Sequence, residues 1–146
     1  MHASDQAAGL RRLFRRTPSA VVALFASGRA PRTLALQTLV ALTEGARRVV
    51  VLDEHAPDDG SLLSAFGFPE GVDLLGALQG QHDVTENMRE VADGLWVVPA
   101  AATVHAVSLL DDVHHARLEA GITELQRRAD LLAIHAVGDA RRLTPF

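Results

Sequence analysis

The chain has 146 residues, 48% of them hydrophobic, with 14 basic and 18 acidic side chains and a formal net charge of −4. That length suits one core of ordinary size, and the negative balance argues against general nucleic-acid binding, since the basic cluster at residues 11–16 is too local to reverse it. With no cysteine, no apolar run near the roughly 20 residues that span a bilayer, and arginines interrupting the N-terminal region where a signal peptide would have its apolar core, a cytoplasmic protein without a stable membrane anchor is expected.

Ser4 or Asp5 can cap a helix that no proline or β-branched residue interrupts through Arg16. At helical spacing Gln6, Leu10 and Leu13 share one face with Phe14 beside them, and Arg11, Arg12, Arg15 and Arg16 surround it. So short a basic amphipathic segment is not stable alone in water, and residues 1–17 read as a helix that folds on a partner. The same residues also read as a packed N-terminal helix or a basic stretch at a membrane surface. Residues 17–19 break the helix. Residues 20–26 (AVVALFA) then form a strand whose unbroken apolar character suits burial on both faces. After a loop at residues 27–31, residues 32–44 read as a helix with Leu36, Leu39 and Val40 on its core side, ended by Gly45.

Residues 48–53 (RVVVLD) form a second buried strand, followed by a polar loop at residues 54–60. Residues 62–68 and 74–78 read as short helices and residues 84–91 as another. Residues 95–99 (LWVVP) give a third strand, residues 105–128 a long helix weakened at Gly121, and residues 131–137 (LLAIHAV) a fourth strand. Strands alternating with helices predict an α/β fold: a mostly parallel sheet of about four strands covered on both faces, spanning residues 18–138, with a C-terminal tail at residues 139–146.

The strand, loop and helix order from residue 21 to 42 is the framework of a phosphate-binding loop, here Ser27-Gly28-Arg29-Ala30-Pro31-Arg32-Thr33. Pro31 lacks an amide hydrogen where donors are needed, and Arg32 carries a planar guanidinium rather than an ammonium. Other candidate chemistry is weaker. His114 and His115 are adjacent, so a helix points them about 100° apart and not at one ion. Asp58-Asp59 and Asp111-Asp112 read as loop and helix-start acids, Ser27 has no matched base, and Trp96 reads as packing. No metal site and no cofactor are expected.

The string Asp5-Gln6-Ala7-Ala8-Gly9-Leu10-Arg11 resembles the DQAxxLR element at the N-terminus of FlhG, a flagellar-number regulator of the MinD/ParA-type ATPases. The stretches at residues 53–56 (DEHA), 62–68 (LLSAFGF), 74–80 (LLGALQG), 94–99 (GLWVVP) and 129–135 (ADLLAIH) follow in that family's order. The resemblance implies the first half of a MinD/ParA-type P-loop domain. It also implies a GTPase-activating element for FlhF, a signal-recognition-particle-type flagellar GTPase, in which the glutamine, here Gln6, is the working residue. Asp5, Ala7, Leu10, Arg11, Leu13 and Phe14 would complete that partner-binding segment.

Set against the family's SGKGGVGKT loop, the lysines and most glycines are gone; Gly28 and Thr33, the latter a possible magnesium-site hydroxyl, remain beside Pro31 and Arg32. Where the family has Asp-x-Asp after the second strand, this chain has Asp53-Glu54-His55, and His135 stands where it ends a later strand in aspartate. A neutral imidazole is a poor magnesium ligand. The resemblance therefore implies a degenerate nucleotide site and a pseudo-ATPase, not an enzyme of its own. The family's later strands, adenine-binding region and C-terminal membrane-targeting helix have no counterpart here. ATP-driven dimerisation and direct membrane recruitment are thus expected to be lost, leaving recruitment to a flagellated pole through a partner. An unpaired strand at residues 20–26 sets the further expectation of a homodimer or another regulator at that edge. The alternative is a scaffold that binds a regulator without affecting GTP hydrolysis.

Overall fold

The computed structural model describes residues 20–25, 31–45, 47–57 and 60–137. The predicted partner-binding residues Asp5, Gln6, Ala7, Leu10, Arg11, Leu13 and Phe14, together with Gly28 and the tail, lie outside them.

Strand β1 (Ala20–Phe25) leads to helix α1 (Pro31–Leu42) and strand β2 (Val49–Asp53), then to the short helices α2 (Leu62–Ala65) and α3 (Leu74–Leu78). A 3-10 turn at Val84–Asn87 precedes β3 (Arg89–Ala92) and β4 (Leu95–Pro99). Helix α4 (Ala101–Ala106), a second 3-10 turn at Val107–Leu109, α5 (Asp112–Arg128) and β5 (Leu131–Ala136) complete the order. The sheet has five strands in the order β1-β5-β2-β4-β3, parallel except where β3 pairs antiparallel with β4.

Alternation along the strands divides the core in two. Val50, Leu52, Val98, Leu132 and Ile134 pack on one face with Leu74 and Leu78 of α3 and Leu118 and Leu125 of α5. Val49, Val51, Leu95, Val97, Leu131 and Ala133 pack on the other with Leu39 of α1 and Leu62 and Leu63 of α2. The predicted architecture, a mostly parallel sheet with helices on both faces, is the one found.

Four details differ. The segment read as a helix at residues 84–91 is a single 3-10 turn followed by β3, a fifth strand. The cause is the Asp93-Gly94 turn, with Gly94 at φ +76°, which folds β3 back onto β4. The long helix at residues 105–128 is split before α5, because the Asp111 side chain accepts from the His114 amide and restarts the helix; Gly121 lies inside an unbroken α5. Val40 faces solvent at 45% exposure, while Ala35 and Leu39 turn inward. Finally β1, expected to be buried on both faces, lies at the sheet edge and pairs only with β5 among the described residues, with Val21 53% and Val22 36% exposed.

Candidate functional site at the C-terminal ends of the strands

Parallel packing aligns the strand ends. Asp53 closes β2 and is the register partner of His135 on β5, and the same alternation that sorts the core points both toward the α1/α2 face. Two residues from sequence positions far apart thereby become neighbours. Asp53 Oδ1 accepts from His135 Nδ1 at 2.9 Å. The same oxygen accepts from the His55 amide at 3.2 Å, and Oδ2 accepts from the Leu62 amide, the first residue of α2, at 2.6 Å. Asp53 thus ties β2, β5, the following loop and α2 together.

His55 comes back over this carboxylate. Its Nδ1 sits 3.4 Å from Asp53 Oδ1, at ion-pair distance but without an aligned hydrogen bond, and its ring stacks on that of His135 with centroids 3.9 Å apart and 23° between planes. Glu54, between them in sequence, is also buried, and its Oε2 accepts from the Val137 amide at 3.0 Å.

Burial works to raise the Asp53 carboxyl, but the hydrogen bonds from His135 and the Leu62 amide, with the nearby His55 ring, outweigh it and hold the group below the usual carboxylate range. Burial pushes Glu54 up, only partly offset by the Val137 amide. The Asp53 carboxylate raises His55 above its ordinary value against the opposing effect of burial. The cluster is therefore a carboxylate held ionised beneath two stacked imidazoles.

Beside it opens a cavity of about 260 Å³, lined by Asp53, His55, Ser61, Phe68, Glu70 and Asp73 among others. It occupies the crevice outside the carboxyl ends of parallel strands, where open α/β sheets bind their ligands. Asp73 fixes the far wall. Its carboxylate caps α3 at the Leu75 amide and also accepts from the Ala102 and Thr103 amides and the Thr103 hydroxyl at the start of α4.

Of the residues singled out from sequence, Asp53, His55 and His135 converge here. Pro31, Arg32 and Thr33 begin α1, and Thr33 is exposed. A proline at the first helical position is tolerated because that amide has no intrahelical partner, but it contributes no donor to an anion. Glu54 and Asp73 were not singled out. Asp73 had a legible signal as a capping residue directly before an apolar helical run, whereas nothing local marks Glu54 as buried. His114 is engaged by Asp111, with Nδ1 and Oδ1 2.6 Å apart near the surface.

No protein-family model and no curated protein matches the sequence. Solved structures do match. Cobyrinic acid a,c-diamide synthase from Mycobacterium smegmatis, with bound ATP analog and magnesium, superposes with a TM-score of 0.63 at 24% identity over 81% of this chain and 51% of that one. A plasmid partition protein from Borrelia burgdorferi gives 0.62 at 16% identity over 83% and 56%. The kinase domain of the Escherichia coli tyrosine kinase ETK gives 0.55 at 11% identity over 88% and 51%. The fold is that of part of a ParA/MinD-like P-loop domain, and the chain spans about half the length of these structures.

A magnesium–nucleotide group can be tested against the residues present. Magnesium takes oxygen donors, yet two of the three converging side chains are imidazoles and the one carboxylate is already engaged by three donors. No arginine lines the cavity among the described residues, and the chain contains no lysine at all. Among the described residues, this donor set does not fit magnesium and a triphosphate.

Proposed function

We propose that the chain is an FlhG-like pseudo-ATPase that regulates flagellar assembly by stimulating an FlhF-type GTPase through residues 5–11. The observation that carries this reading is the Asp5-Gln6-Ala7-Ala8-Gly9-Leu10-Arg11 string preceding a half-domain of ParA/MinD-like fold. The donor set at the strand ends supports the pseudo-ATPase part. Gln6 orients the attacking water in the partner's site, as glutamines do in other GTPases; Leu10 and Leu13 anchor the segment, and Arg11 pairs with acidic groups on the partner.

GTP turnover by an FlhF-type GTPase, measured with and without this protein, tests the proposal. Stimulation is expected, lost in Gln6→Ala with binding largely retained, whereas Leu10→Ala weakens binding itself. Unchanged turnover, or full stimulation by Gln6→Ala, overturns the mechanism. Calorimetry with magnesium and ATP should show no saturable heat, and a micromolar magnesium-dependent affinity would remove the pseudo-ATPase assignment.

The exposed edge of β1 favours a second reading, a scaffold that joins a second copy of itself or another regulator there. Its apolar residues carry no charge or proline to block strand pairing. Light scattering across concentration should then show association that Val22→Lys reduces while the variant stays folded. A wild-type chain that remains monomeric at high concentration removes self-association from this reading.

A further inference from the structure

The cluster that rejects magnesium has the composition of a different metal site. Among the described residues, three buried side-chain polar atoms lack a hydrogen-bond partner, Glu54 Oε1, His55 Nδ1 and His135 Nε2, and the two histidine nitrogens belong to this one cluster. Leaving a buried atom unpaired is costly, and a metal ion bound by His55 Nδ1 would satisfy that one. The His135 side chain is 1% exposed and its ring offers two nitrogens, Nδ1 against Asp53 Oδ1 and Nε2 unpartnered.

From these contacts we propose that Asp53, His55 and His135 bind a divalent transition metal of the zinc class. One ligating atom from each residue lies within 4.8 Å of the others. Donors about 2.0–2.2 Å from a tetrahedral zinc lie roughly 3.3–3.6 Å from one another. The 3.4 Å between His55 Nδ1 and Asp53 Oδ1 matches that edge in length, and His55 must turn out of its stack on His135 for both ring nitrogens to point at one ion. The shorter 2.9 Å between Asp53 Oδ1 and His135 Nδ1 is a hydrogen bond whose proton the metal replaces. Two imidazoles and one carboxylate suit zinc or cobalt and discriminate against magnesium and calcium. Asp53 and His55 also line the cavity, which would give water access to the ion. The proposal departs from the expectation of no metal drawn from the sequence, where His55 and His135 were weighed only against magnesium and His114 and His115 as an adjacent pair.

The test titrates the full chain, stripped with chelator, with Co²⁺ and then Zn²⁺. One equivalent of Co²⁺ should give the intense visible absorption of a four- or five-coordinate ion, Zn²⁺ should displace it, and millimolar Mg²⁺ should not. X-ray absorption of the zinc-loaded wild type should show two imidazoles. His55→Ala, at a partly exposed loop position, should keep its circular dichroism and lose at least tenfold in affinity, while His114→Ala binds as the wild type does. Absence of saturable Co²⁺ or Zn²⁺ binding, a zinc shell without imidazole, or binding by His55→Ala equal to wild type would overturn the proposal. Loss of binding in His114→Ala instead would assign the ion to the surface pair with Asp111 and equally overturn it.

Discussion

Asp53 and Asp73 hold the strand ends of this molecule by accepting several hydrogen bonds each. Asp73 takes hydrogen bonds from three amides and one hydroxyl on two helices. Removing it orphans several donors at once, so Asp73→Ala is expected to cost about 2 kcal/mol, with part recovered by Asn, measured by denaturant unfolding. Asp111 shows the pH dependence of such caps. The His114 amide first, and then the His114 ring, hold its carboxyl below the ordinary range. A depressed folded pKa gives stability that is present above the unfolded value of about 3.9 and lost as pH falls through the folded one. The advantage of wild type over Asp111→Asn in thermal unfolding should therefore shrink below about pH 4. A difference constant from pH 3 to 7 would show that the charge is not what the cap uses. Asp53, His55 and His135 were visible in the sequence as departures from a nucleotide-binding pattern. Their convergence was not, because it depends on the register that sets Asp53 beside His135.

At the level of elements, what the sequence revealed follows from how each segment is buried. Strands β2 and β5 are buried at every position and β4 at most, and their unbroken apolar runs announced them. Strand β3 is short, half exposed and rich in helix-compatible residues, so its identity comes from the turn after it rather than from its own composition. That turn can be tested. Gly94 has φ +76°, and a Cβ there would lie 2.9 Å from the Arg47 carbonyl oxygen. Gly94→Ala should cost about 1–2 kcal/mol from the left-handed backbone alone, with the contact adding to it, read from the urea midpoint. A neutral result would mean that the hairpin shifts to accommodate the methyl group. Composition misled in the opposite sense for β1, whose apolar run matches that of a central strand although its position is an edge.

For the whole molecule, protection should follow the sheet order. Strand β2 lies between β5 and β4, whereas among the described residues β1 is paired on one side only, so the β1 amides are expected to exchange with deuterated solvent ahead of those of β2. Equal protection would indicate that something covers the edge in solution. The position of β5 also governs the order in which this sheet can be built. Residues 131–136 are the last of the described strands to be synthesised, yet they occupy the place between β1 and β2. A ribosome therefore releases β1 long before its neighbour exists, and the apolar segment must wait through translation of nearly all of the sheet. Pairing so distant in sequence is slow, and a nascent chain halted before residue 131 would present β1 as a target for chaperones and proteases. Among the described strands, the one most poorly covered is also the one left waiting longest while the chain is made.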